Sequence, residues 1–120
     1  MALKVENLDD VRVVTLEGRL VTEVAQNLFA EFNEYVEGSP GTTLLDMTGV
    51  RYMGSFLVGV LVNLRTGLSK RGFALHVAGL ESRNRLVLRV AGLEGLFDFH
   101  LTREEGLASL GATTQSSQEA

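Results

Sequence analysis

In the stretch VRYMGSFLVGVL, Val50 to Leu61, one serine stands between a glycine and an apolar run broken only by Gly59. Ser55 falls where a helix would start, and a hydroxyl there has two uses. It can accept a hydrogen bond from the unpaired N–H groups of the first turn and act as the N-cap. It can also take a phosphate, which adds about −1.5 to −2 charges at pH 7 and suits the positive end of a helix dipole. The helix that follows, with Phe56, Leu57, Val58, Val60, Leu61, Val62, Leu64 and Leu68, is apolar nearly all round. One face can rest on a sheet. Any uncovered part beside Ser55 would be a protein-docking surface, since contiguous exposed apolar patches mark interaction sites. A phosphate placed there would break the docking, because an apolar partner surface does not accept a charge. The expected docking residues are Gly54, Phe56, Leu57, Val58 and Gly59. Asp46 and Thr48, just upstream in LDMTG, are expected on the same side as Ser55, where Asp46 could lend a carboxylate or form a turn.

The elements that must position this serine follow from periodicity. Leu3 to Glu6 and Val11 to Glu17 read as a strand pair, joined by the turn-forming Asn7-Leu8-Asp9-Asp10 and ended at Gly18. From Thr22 the period changes: Val24, Leu28, Phe32 and Val36 fall four apart, an amphipathic helix with Thr22 as N-cap and Gly38-Ser39-Pro40-Gly41 as its stop. Thr42 to Met47 lacks clean alternation, as a central strand covered on both faces would. The Ser55 helix runs to about Lys70, with Gly72 past its end. Phe73 to Ala78 is a strand, Ser82 to Val90 a helix with Leu86 and Val90 as its apolar face, and Phe97 to Leu101 a last strand. Thr102-Arg103-Glu104-Glu105 opens a final helix through Leu110 with a capping-box pattern. The order β-β-α-β-α-β-α-β-α predicts an α/β domain over residues 1–110, with a mostly parallel five-stranded sheet, an antiparallel N-terminal strand and about four helices. The polar tail 111–120 is expected to be disordered.

Composition narrows the chemistry. At 120 residues, with 45 % apolar and 22 % charged, the chain is an ordinary single globular domain. A net charge of −4, with scattered cations, argues against nucleic acid. The longest apolar run is far short of a membrane span, no signal peptide is visible at Met1-Ala2-Leu3-Lys4-Val5-Glu6, and without cysteine there is no thiol chemistry. A cytoplasmic protein without membrane insertion is expected. His76 and His100 lie in different strands without metal-ligand spacing and read as structural. Arg83, Arg85 and Arg89 read as a solvated face, with Arg85 and Arg89 one turn apart in a small basic stripe. Gly92 and Gly95 do not form a phosphate loop, because they do not follow a strand and open a helix.

The segments VVTLEGRL, TTLLDMTGVRYMGSFLVGVL and RVAGLEGLFDFHLTREEGLASL, in this order, resemble the STAS domain of bacterial anti-sigma-factor antagonists from Leu3 to Leu110. The resemblance implies the STAS fold and no catalytic residue. It implies that Ser55 is phosphorylated by an anti-sigma factor with a serine kinase fold. The unphosphorylated domain would bind that factor and free the sigma factor, phosphorylation would release it, and a phosphatase would reset it. Two family carboxylates are replaced: Gly54 stands where the switch has aspartate, and Val21 where an acidic residue is usual near the first helix. Phe56 and Leu57 replace a small polar pair, and Ser-Phe-Leu is similar to the Asp-Ser-Phe-Ile switch of STAS proteins in the stressosome, a multi-protein scaffold. The expectation is a non-enzymatic, phosphorylation-controlled signalling protein acting in transcription regulation, without cofactor or metal, with homo-oligomers allowed. The alternatives are a stressosome or transporter-associated scaffold subunit without phosphorylation, and a small-molecule or lipid carrier lined by the second helix.

Overall fold

A computed structural model describes residues 3–20, 22–38 and 41–111. Strands β1 (Leu3–Leu8) and β2 (Val11–Leu20) form the antiparallel pair, with Asp9 at the turn in the left-handed region (φ 55°). The remaining elements are α1 (Thr22–Gly38), β3 (Thr43–Met53), α2 (Ser55–Ser69), β4 (Leu75–Ala78), α3 (Ser82–Val90), a 3-10 turn at Glu94–Leu96, β5 (Asp98–His100) and α4 (Arg103–Ser109). The sheet order is β1-β2-β3-β4-β5, and every pairing after the first is parallel. The tail 112–120 and the breakers Ser39 and Pro40 lie outside the described residues, as do the side chains of Thr22, Val24 and Val36.

The sheet separates two apolar layers. Leu16, Leu45, Met47 and Val77 face α1 and α2, meeting Ala25, Leu28 and Phe32 of α1 and Leu57, Leu61, Leu64 and Leu68 of α2; Leu88 of α3 joins this layer. On the other face Val11, Val13, Leu44 and Ala78 are covered by Leu107 of α4. Alternation along β3 therefore sends Leu45 and Met47 one way and Leu44 and Asp46 the other.

Several expected boundaries move. β2 does not end at Gly18: that glycine adopts φ +90° where the β2–β3 register shifts, so a bulge lets the strand continue to Leu20. With β2 prolonged, β3 has a partner for a second half, and residues 48–53 are strand rather than loop. β4 reaches only Asp46 of β3. β5 is shorter than expected, leaving Leu101 exposed. In α3 the buried face is Asn84 and Leu88, while Leu86 and Val90, expected inward, are exposed. The expected N-cap of α4 is present: the Thr102 hydroxyl accepts from the Glu105 backbone N–H at 3.1 Å.

Gly79, immediately after β4, has φ +73°, and a Cβ there would strike the Thr48 hydroxyl and lie 3.1 Å from the Thr48 Cα. Gly79→Ala combines left-handed strain with a contact to backbone that cannot swing away. Equilibrium urea unfolding is expected to show a loss of about 2 kcal/mol.

Candidate docking and phosphorylation site

β3 delivers the chain to Gly54, and α2 begins at once. Gly54 is extended (φ −79°, ψ 167°), and its carbonyl accepts the first helical bond from the Val58 N–H at 3.3 Å. Gly54 is therefore the N-cap, and Ser55, expected in that role, is the first helical residue instead. Gly54 has no side chain to cap with, and no side-chain cap bond is present. Ser55 itself is exposed.

The expected docking residues divide by helical geometry. Phe56 is 40 % exposed and Gly59 is exposed, whereas Leu57 is 0 % exposed and Val58 is buried in the main core. Leu57 and Val58 therefore belong to the fold and not to the surface, because they fall on the side of α2 that rests on the sheet and α1. The uncovered side runs Ser55, Gly59 and Asn63, one turn apart per step, with Phe56 beside Ser55 and three residues before Gly59. Ser55, Phe56, Gly59, Val60 and Asn63 line a shallow groove of about 210 Å³. That is smaller than the roughly 300–1,000 Å³ of small-molecule sites. Leu57, Val58, Leu61, Leu64 and Leu68 of α2 are taken by the core, which leaves Phe56 and Val60 as the apolar residues of α2 that line this groove. Gly54 is half-buried against the Tyr52 ring.

Asp46 and Thr48 do not join this surface. Both point to the α4 face, opposite α2, because they share the parity of Leu44 along β3. Asp46 Oδ1 accepts from the Thr48 N–H at 3.1 Å and from the Thr48 hydroxyl at 2.7 Å, while Asp46 Oδ2 lies 3.6 Å from Arg103 Nη1. The carboxylate missing at Gly54 is therefore not replaced by Asp46, although the expected turn-type bonding is present.

Beyond Tyr52 the surface becomes basic. The Arg19 guanidinium lies 4.8 Å from the centroid of the Tyr52 ring. Arg19, Arg51 and Arg83 line a cleft of about 650 Å³ with Thr48, Gly49, Gly79 and Glu81. These arginines come from β2, β3 and α3, so no local sequence pattern groups them. The other two arginines of α3 are engaged: Arg85 donates to Glu94 at 2.7 Å and Arg89 at 3.4 Å, and Arg85 also covers the Phe99 ring. The hydrogen bond from Arg85, and then that from Arg89, holds the Glu94 carboxyl below its usual pKa.

The two histidines, expected to be structural and without metal-ligand spacing, are diagonal neighbours across the parallel β4–β5 pair: His76 Nδ1 and His100 Nε2 are 3.0 Å apart. Their separations in sequence hide this, since only the sheet order brings them together. Among the described residues no group of three or more His, Cys, Asp or Glu side chains is placed to hold a metal ion, and no helix is long and apolar enough to cross a membrane.

The two-layer sheet and the exposed helix-start serine define a domain class, and comparison with known proteins identifies it. The family described as STAS domain matches residues 2–106, and the chain belongs to that family. Solved structures share the fold. A candidate anti-sigma factor antagonist from Thermotoga maritima is 21 % identical, with TM-score 0.84 over 91 % of this chain and 94 % of that one. The phosphorylated form of the Bacillus cell fate determinant SpoIIAA is 19 % identical, with TM-score 0.74 over 91 % and 99 %. A stressosome chain is 20 % identical, with TM-score 0.73 over 90 % and 96 %. No match was found among curated proteins compared by sequence.

Proposed function

We propose that this chain is a regulator of the anti-sigma-factor-antagonist type, which binds a serine-kinase-like partner through the Ser55 end of α2 and is released when Ser55 is phosphorylated. The observation that carries this reading is Ser55 itself: exposed, at the first helical position, and next to the half-exposed Phe56. A phosphate there meets the first-turn N–H groups and the positive end of the dipole, so the fold tolerates it. A partner seated on Phe56 and Gly59 would have to bury that charge, which costs more than the contact gains. SpoIIAA, a fold relative, is known in a phosphorylated form. The role is binding rather than catalysis, exercised in the cytoplasm, with a phosphatase restoring the hydroxyl.

The test is recovery of the tagged chain from its source organism, with phosphosite mapping and purification of whatever partner accompanies it. One phosphate, on Ser55, is expected. In titration against that partner, Ser55→Glu should bind about tenfold or more weakly while Ser55→Ala binds as the wild type does. Equal affinities for all three proteins, or phosphate found only elsewhere, would overturn the switch.

A second reading rests on Phe56. This exposed aromatic after the serine fits the Ser-Phe part of the stressosome-like motif, although Gly54 departs from its aspartate, and a stressosome chain is among the fold relatives. In that reading the same face makes permanent contacts in a scaffold. Light scattering on the purified chain separates the two: a large, stable oligomer favours the scaffold, and a monomer or small oligomer favours the switch.

A further inference from the structure

The clasp between β4 and β5 involves neither Ser55 nor the docking face. The His76 and His100 ring centroids are 5.2 Å apart with planes 21° apart. For rings whose nitrogens are 3.0 Å apart, that is close to the largest separation the bond allows. The imidazoles therefore meet nitrogen to nitrogen in nearly one plane, with one ring donating and the other accepting. Such a bond needs at least one neutral ring, because two imidazolium ions offer only donors to each other.

We propose that this pair is a proton-released latch, closed near neutral pH and opened in mildly acidic conditions, that holds β5 and α4 onto the sheet. The mechanical path is short. β5 has three residues and, among the described residues, pairs in the sheet with β4 alone. A Cβ on Gly106 of α4 would lie 3.4 Å from His100 Cδ2 and about 3.0 Å from the Leu44 methyls, so the helix seats its glycine directly against this ring and the strand beneath it. Displacing the His100 ring thus disturbs α4, whose Leu107 covers Val11, Val13, Leu44 and Ala78. Opening exposes this second apolar layer while the α1–α2 layer, with the Ser55 face, stays packed.

The groups around the pair set the direction. From β5, Asp98 Oδ2 lies 3.9 Å from His76 Nε2 and is two-thirds exposed; Arg85 of α3, Glu94 of the 3-10 turn and Ser109 of α4 line the same cleft. β3 contributes the uncharged Leu44, the register partner of His76. Burial lowers the pKa of His76 from its ordinary value, Asp98 opposes that, and His100 adds to the lowering. The sign follows: the folded state disfavours protonated His76, so its contribution to stability is present above the ordinary histidine range and is lost as pH falls below it. A single proton on the pair keeps the bond, because one ring still accepts, and the bond is lost when both rings carry two N–H donors.

The experiment is amide exchange and imidazole NMR on the full chain between about pH 7.5 and pH 5, corrected for intrinsic exchange. Protection of residues 98–110 is expected to fall about tenfold on acidification, while α2 amides keep theirs. His76→Asn and His100→Gln place an amide nitrogen or oxygen near the same position without a proton to gain, and should make residues 98–110 insensitive to pH. If either variant does not fold, the wild-type data decide alone. Unchanged protection, an equal loss across every element, or an unaltered pH response in a folded variant would each overturn the latch.

Discussion

Leu57→Ala is expected to cost the fold about 2–5 kcal/mol, while its neighbour Phe56→Ala leaves stability nearly unchanged and removes partner binding. The contrast follows from one turn of α2. Leu57 is fully buried among the α1–α2 layer, so truncation both forfeits transfer energy and leaves a cavity that the close-packed sheet cannot fill. A melting temperature lower by on the order of 10 °C is the corresponding thermal readout for a chain of this size. Phe56 is 40 % exposed and lies on the groove side, so its removal takes little from the core. An exposed aromatic is a natural anchor for the docking proposed above. Urea denaturation of both variants, followed by titration with the purified partner, checks the pair of outcomes. If Phe56→Ala unfolds the chain as readily as Leu57→Ala, or leaves the affinity for the partner unchanged, the division of α2 into core and docking sides is wrong.

Arg103→Met is expected to destabilise the chain by about 2–3 kcal/mol, less than the 3–5 kcal/mol typical when a fully buried pair is broken. Arg103, on α4, donates to Glu6 of β1 at 2.8 Å and to the Thr15 hydroxyl of β2 at 3.4 Å, and lies 3.6 Å from Asp46 of β3. One side chain thus ties three strands to the helix. Without it the Asp46 carboxylate, only 12 % exposed, would keep Thr48 but lose its cation, and that uncompensated charge is the main cost. The effect is below the buried limit because Glu6 and Arg103 keep contact with water. Burial works against the charge on Arg103, but the Glu6 hydrogen bond and the charges of Glu6 and Asp46 outweigh it and raise its pKa. The same hydrogen bond lowers Glu6 below its usual value of 4.5. Sign matters here: a depressed carboxylate contributes its stability above the ordinary range and loses it as pH falls through the lowered value. Wild type should therefore lose stability below about pH 4.5, and Arg103→Met should lose less of it, as thermal melts across pH 6 to 3 would show. Parallel losses in both proteins would remove Arg103 from that account.

Much of the architecture was legible because it rests on periodicity. The four-residue repeat of Leu28 and Phe32, the glycines after each helix and the capping pattern at Thr102 each fix a local element, and their alternation fixes the parallel sheet. What failed depended on partners distant in sequence. The second half of β3 looked like a loop because Gly49 interrupts it, and only the prolonged β2, through two register shifts, gives Gly49, Val50, Tyr52 and Met53 strand partners. The inward face of α3 was misassigned because Asn84, a polar residue, lies inside while Leu86 and Val90 do not. Within the site, Ser55, Phe56 and Gly59 could be found from sequence. An almost wholly apolar helix conceals which of its sides the sheet takes, so Leu57 and Val58 could not be separated from them. Strand parity, rather than proximity in the chain, sends Asp46 to the far face. The arginine cleft and the histidine pair had no local signature at all.

The spatial order of the strands repeats their order along the chain. Each new strand therefore finds its docking edge on the one synthesised just before it, and no earlier segment must wait for a later one to be threaded between. The sheet can grow in one direction as the polypeptide lengthens, with short loop closures throughout. The bond from Arg103 back to Glu6 spans 97 positions, which makes it a late-forming strap rather than a nucleating contact.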